Sequence, residues 1–211
     1  MGAHLSPLTV LAWPAQEALR ATQRTESIFV IGIETAPTND RTAARCAIRS
    51  AICEALGVLI GCDASHVHFA SVPGQPLQMI GASIGLSISH ELGMSVAAIY
   101  LHGAVGIDIV RREAIAQAAA DWPILARDYL GPAATTHISE SDPAQRLPVF
   151  AAEWTAQEAR LKCRGLGLVE WDSARESISE CDLHPLTLAL PWIGTVAIEK
   201  RSAAFLSNPT R

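Results

Sequence analysis

The chain contains no run of 18 or more apolar residues, no Cys-x-x-Cys pair and no excess of basic residues. Without the apolar run there is nothing to cross a bilayer as a helix. Met1 to Leu19 carries Pro7, Pro14 and Glu17 where an export signal would carry a charged start and an apolar stretch, so a cytoplasmic location is expected. Lys and Arg number 16 against 21 Asp and Glu, a net charge of -5. That balance removes the broad positive field on which sequence-independent nucleic-acid binding depends, and any anion must be held by a local cluster. The five cysteines, Cys46, Cys53, Cys62, Cys163 and Cys181, are odd in number and lack paired spacing, as expected of reduced thiols in a cytosolic protein. Cys62, His66 and His68 lie close in sequence, but no second ligand pair at zinc spacing follows, so they read as loop residues.

What is present is a chain of 211 residues, 49% hydrophobic and 18% charged. It is too apolar for disorder and long enough for one large domain or two of about 100 residues. From Arg41 to Gly57, Ala44, Ile48, Ile52, Ala55 and Leu56 recur at helical spacing, with Asp40 as N-cap and Gly57 as stop. Arg41, Arg45 and Arg49 share one face of that helix, as either a solvated stripe or an anion clamp. After a turn-rich stretch with Pro73, Gly74 and Pro76, the segments 85–90, 95–100 and 104–110 read as three strands of a meander. In the last, Val105, Ile107 and Ile109 face one way and Gly106, Asp108 and Val110 the other.

Residues 111–120 read as helix, 121–148 as loop with a short helix, and 149–164 as a long helix ended by Gly165 and Gly167. Phe150, Trp154 and Leu161 give the long helix an apolar face, and Glu158 and Lys162 lie one turn apart. The segments 186–190 and 194–199 read as two strands around a turn at 191–194. SVAAIY at 95–100 and TVAIEK at 195–200 resemble each other at an offset of about 100 residues, which predicts two similar lobes and a site in the cleft between them.

Few residues stand out chemically. Asp108, an acid on an otherwise apolar strand, needs a partner or a cation to offset its desolvation. Glu158 and Lys162 alone would be an exposed helix pair worth about 0.3–0.5 kcal/mol. Gly81-Ala82-Ser83-Ile84-Gly85 spells the G-x-S-x-G of a serine esterase, with Asp108 and His137 or His184 downstream. That elbow needs a helix after Ser83, whereas residues 86–100 alternate like strands.

Three stretches carry a resemblance when taken together: Ser87-Ile88-Ser89-His90, Gly106-Ile107-Asp108-Ile109, and Trp154 to Lys162 with its Gln157-Glu158 and Lys162. In this order and at these separations they are similar to the motifs of the 4'-phosphopantetheinyl transferase superfamily. Gly74-Gln75-Pro76 looks like the family's G-[KR]-P element, and 41–57 like its Arg-containing first helix. The resemblance covers about residues 40–200 and suits the longer, monomeric, surfactin-synthetase-activator type.

It implies an α/β (α+β) fold of two pseudo-symmetric lobes, 1–105 and 106–211, each a long helix packed on a small, mainly antiparallel sheet. It further implies transfer of the phosphopantetheine arm of coenzyme A to a serine of an apo acyl or peptidyl carrier protein, releasing adenosine 3',5'-bisphosphate. Asp108 and Glu158 would hold Mg²⁺ or Mn²⁺, Glu158 would take the serine proton, and Lys162 would stabilise the departing phosphate. His90, Ser89, Gly74, Arg41 and Arg45 would bind coenzyme A. Val110, Gln157, Gln75 and Glu91 depart from the family pattern, each by replacing a ligand, a base or a neutral residue near the phosphates. Coenzyme A affinity then rests on the arginine stripe. The same departures keep open a catalytically degenerate homologue that only binds coenzyme A or a carrier.

Overall fold

The structure, a computed structural model, describes residues 5–37, 41–70, 77–117, 121–172 and 181–200. Asp40 and the Gly74-Gln75-Pro76 element, including the expected ligand contact Gly74, lie outside these residues. The elements in chain order are β1 (Leu8–Ala12), α1 (Gln16–Thr22), β2 (Ile28–Glu34), α2 (Arg41–Ile60), the two-residue strands β3 (Phe69–Ala70) and β4 (Gln78–Met79), β5 (Gly85–Glu91), β6 (Met94–Tyr100) and β7 (Val105–Arg111). They continue with α3 (Arg112–Gln117), α4 (Trp122–Leu125), α5 (Gly131–Glu140), α6 (Arg146–Cys163), β8 (Cys181–Thr187) and β9 (Trp192–Glu199).

Among the described residues nine strands form one mixed, open sheet in the order β3-β4-β5-β6-β2-β1-β8-β9-β7. β5 and β6 make a hairpin around Gly93, whose φ of 92° is costless only for glycine. β6 then pairs antiparallel with β2, and in the second half β8, β9 and β7 repeat that order with antiparallel pairing. β1 joins the two sets, parallel to both β2 and β8.

The expected meander is therefore wrong at its third strand. β6 is already flanked by β5 and β2, so β7 takes β9 as its ladder partner and lies alongside β5 without a backbone ladder. Two serine hydroxyls make the join: Ser87 Oγ accepts from the Ile107 N–H at 3.1 Å and Ser89 Oγ from the Ile109 N–H at 3.3 Å.

Alternation divides the strands as a pleated sheet requires. Val30, Val96, Ala98, Val105, Ile107, Ile109 and Val196 pack together on one side. On the other, α2 buries Ile48, Ile52 and Leu56 against Phe29, Ile31, Leu86 and Ile99, each large side chain contributing about 1.5–3 kcal/mol. α6 covers the second half, with Ala156, Ala159 and Cys163 against Leu183 and Ala197, and Phe150 and Ala151 against Val110 and Ile138.

Several boundaries differ from expectation. α2 runs past Gly57 to Ile60 and stops at Gly61, where φ is 72°. Gly57 serves close approach instead, since a Cβ there would stand 2.9 Å from the Cys62 carbonyl oxygen. The stretch read as loop from 121 to 148 is largely helical, and α6 starts at Arg146 because Pro148 falls in its first turn, where no N–H is needed. Its other end is the expected one: Leu166 N bonds Leu161 O and Gly165 N bonds Lys162 O, with Gly165 at φ 67°. β8 begins at Cys181, earlier than the 186–190 read from the sequence.

Candidate active site

Asp108 sits at the middle of β7 on the face turned to α6, and is 8% exposed. What lets α6 come close is Gly106, two residues earlier on the same face: a Cβ there would lie 1.9 Å from the Ala159 carbonyl oxygen. Helix backbone thus rests directly on strand backbone. Further along, α6 is pinned to β9, the ladder partner of β7, by the hydroxyls of Thr155 and Thr195, 2.9 Å apart and both buried.

Across this seam Lys162 Nζ donates to Asp108 Oδ1 at 2.7 Å, to the Ile107 carbonyl at 3.1 Å and to Ser89 Oγ at 3.5 Å. Ser89 in turn donates to Asp108 Oδ1 at 2.9 Å. Its single proton and its lone pairs are therefore engaged inside the protein, and it is 4% exposed. Burial pushes the Asp108 carboxyl above the usual carboxylate range, while the Lys162 charge and the hydrogen bonds from Lys162, Ser89 and Ile109 pull it back.

Glu158 stands one turn of α6 before Lys162 and is half-buried. Its pKa is raised, first by burial and then by repulsion from Asp108, against the pull of Lys162. The two carboxylates thus feel one another, and Lys162 bonds the strand acid and not Glu158, its i, i+4 neighbour. Lys162 is held by a strand residue, and Glu158 carries a charge that a cation could relieve. Among the described residues no group of three or more His, Cys, Asp or Glu is placed to hold a metal, at Asp108 and Glu158 or at Cys62, His66 and His68. A divalent ion at Asp108 and Glu158 would take two protein carboxylates and fill its shell with water and ligand oxygens, a donor set that suits Mg²⁺.

His90 lies at the other end of β5. Alternation turns Ser87 and Ser89 toward β7 and Leu86 and Ile88 toward α2. His90 Nδ1 is 2.7 Å from Ser95 Oγ, a fully buried hydroxyl on β6 that fixes the ring. Its pKa is pushed down to about 4, mainly by burial and then by the positive charges of Arg45, Arg41, Lys162 and Arg49. The charges of the α2 arginine stripe are therefore felt at His90, and the imidazole sits within a local positive field on a chain of net charge -5. That is an anion-attracting surface beside a carboxylate pair.

The esterase geometry is absent. Ser83 lies in the irregular stretch that leads into strand β5, not into a helix. His137 Nδ1 contacts Glu153 Oε1 at 2.8 Å, and His184 Nδ1 lies 3.1 Å from the Ser6 carbonyl. Ser95, Thr155 and Thr195 escaped the sequence reading because a hydroxyl on an apolar strand or helix carries no signal of its partner. Gly106 could have been found, since a glycine two before the motif aspartate shares its face.

Residues 104–203 match the family model of the 4'-phosphopantetheinyl transferase superfamily. The matched span holds β7, α6, β8 and β9, and with them Asp108, Glu158 and Lys162; it leaves His90 and the α2 arginines outside. No curated protein matches the chain. Its second half is thus similar to phosphopantetheinyl transferases.

Proposed function

We propose that the protein is a 4'-phosphopantetheinyl transferase that moves the phosphopantetheine arm of coenzyme A to a serine of an apo acyl or peptidyl carrier protein. The observation that carries this reading is the Lys162–Asp108 ion pair across the β7–α6 seam, with Glu158 one turn earlier on α6 and within reach of the Asp108 charge, inside the span that resembles the family. The repeated strand order β5-β6-β2 and β8-β9-β7 supports two pseudo-symmetric lobes, 1–105 and 106–211, with the site where they meet.

Asp108 and Glu158 are the residues that would hold the divalent ion, Mg²⁺ or Mn²⁺. When bound, that ion gathers the pyrophosphate oxygens and neutralises their charge. Glu158, more basic than an exposed glutamate, accepts the proton of the carrier serine hydroxyl as that oxygen attacks phosphorus. Lys162 holds Asp108 in place and offers its charge to the departing phosphate. Ser89 is a positioning residue: it braces both partners of the ion pair. His90 with Arg41, Arg45 and Arg49 attracts the remaining phosphates of coenzyme A, which offsets the missing basic groups at Gln75 and Gln157. Release of adenosine 3',5'-bisphosphate completes the exchange.

We further propose a cytoplasmic monomer that binds neither membrane nor nucleic acid. No helix among the described residues is long and apolar enough to cross a membrane. The test is direct: incubate the protein with coenzyme A, Mg²⁺ and a panel of apo carrier proteins, and weigh the carriers. A gain of one phosphopantetheine group on a carrier serine is expected. Binding of coenzyme A without any such gain would reject transfer and leave a binding protein.

A further inference from the structure

An ammonium has three N–H groups, and all three of Lys162 are spent inside the protein: on Asp108 Oδ1 at 2.7 Å, the Ile107 carbonyl at 3.1 Å and Ser89 Oγ at 3.5 Å. None is left for a phosphate oxygen. The acceptors are as fully used. Asp108 Oδ1 takes one hydrogen bond from Lys162 and one from Ser89, which fills its two lone pairs, and Ser89 Oγ also accepts from the Ile109 N–H at 3.3 Å. Only one member of this knot has room to withdraw. Ser89 is 4% exposed, and Ile107 contributes main chain fixed in the β7–β9 ladder. The Lys162 side chain is 30% exposed, on a flexible four-carbon stem one residue before the end of α6.

We propose that Lys162 is the built-in counter-cation of Asp108, that it yields Asp108 Oδ1 in exchange for a divalent ion, and that the exchange frees its three N–H groups for phosphate oxygens. Asp108, 8% exposed, needs a cation beside it in either arrangement. Keeping both would set an ammonium and a doubly charged ion side by side on one carboxylate, where they repel one another. Exchange keeps the buried charge paired and moves only the group that has solvent to move into. Lys162 therefore turns to phosphate after the ion has relieved it, which orders the events at the site. The proposal rests on the reading of Asp108 and Glu158 as ligands of the ion.

Lys162 and Lys200 are the two lysines of the chain, and Lys200 is exposed, which makes it an internal reference. In the full chain labelled with nitrogen-15 and carbon-13, NMR reads the hydrogen bond as a scalar coupling between Lys162 Nζ and Asp108 Cγ. Mg²⁺ alone is the titrant, and calorimetry follows its binding. A coupling that is present at first and lost at saturation is expected; one that persists at saturation overturns the exchange. Trace acetylation with peptide mapping gives a second measurement. Modification of Lys162 relative to Lys200 is expected to rise about tenfold with saturating Mg²⁺, as the ammonium leaves its acceptors, and an unchanged ratio overturns the proposal. Asp108→Asn separates the two ways of failing. Weaker Mg²⁺ binding in that variant, with a persistent coupling in the wild type, overturns the exchange alone. Mg²⁺ binding equal to wild type overturns the exchange and the ligand role of Asp108 together.

Discussion

Lys162 Nζ lies 2.7 Å from Asp108 Oδ1, so the ammonium on α6 is fixed by a strand carboxylate and not by Glu158 one turn away on its own helix. Because burial raises the Asp108 pKa above its usual 3.8, its contribution to stability is complete below that value and falls as pH rises through the folded-state pKa. Lys162 limits this loss. In Lys162→Ala the carboxylate keeps its burial without a counter-charge, and destabilisation of about 1–2 kcal/mol is expected at pH 7, discounted because the lysine is partly exposed. Near pH 4 the difference should shrink. Urea midpoints at both pH values check this, and equal losses would contradict it.

His90 gives the opposite pH signature. With its pKa lowered from 6.5 to about 4, the unfolded chain takes up the proton first as acid is added. Stability that is full above pH 6.5 is then lost as pH falls toward 4. His90→Gln should flatten that window, and a Ser95→Ala variant, which frees the ring, should narrow it. Histidine ring titration followed by NMR gives the pKa itself; a value near 6.5 in the wild type would refute the buried, arginine-flanked placement.

Thr155 and Thr195 offer a test of the seam itself. Thr155→Val leaves the buried Thr195 hydroxyl without its partner and should cost about 1–2 kcal/mol. Replacing both with valine removes the orphan, so the double variant should be less destabilised than the sum of the two single ones. Additive losses in a double-mutant cycle would mean the hydroxyls do not pair.

At Gly106 the objection to a side chain is backbone, not a rotamer that can swing away. Gly106→Ala puts its methyl into the Ala159 carbonyl and must lift α6 off β7. A loss above about 2 kcal/mol is expected, with Lys162 drawn away from Asp108. Wild-type melting of this variant would show that the helix does not rest where described.

Sequence pattern reached the site further than the fold around it. The alternation of 105–110 placed Asp108 opposite the apolar face of its strand, and the helical spacing of Glu158 and Lys162 put both on α6, as found. What pattern could not carry was partnership. Nothing local says that β7 chooses β9 over β6, or that Ser87 and Ser89 stand in for the missing ladder, because those contacts join residues far apart in the chain. The start of α6 differs from the expected 149 because Pro148 falls in the first helical turn, which tolerates it. The arginine stripe on α2 is visible in the sequence, yet the reach of its charge to His90 depends on how α2 packs over β5 and β6.

In the proposed mechanism Asp108 and Glu158 act together, as ligands of one divalent ion and with Glu158 as proton acceptor. Rates of phosphopantetheine transfer to an apo carrier, measured over a Mg²⁺ titration for the wild type, Asp108→Asn and Glu158→Gln, test it most directly. A fall of more than about 100-fold is expected for each variant, with the fold intact by circular dichroism. Transfer by either variant within a few-fold of wild type, at the same Mg²⁺ requirement, would contradict it.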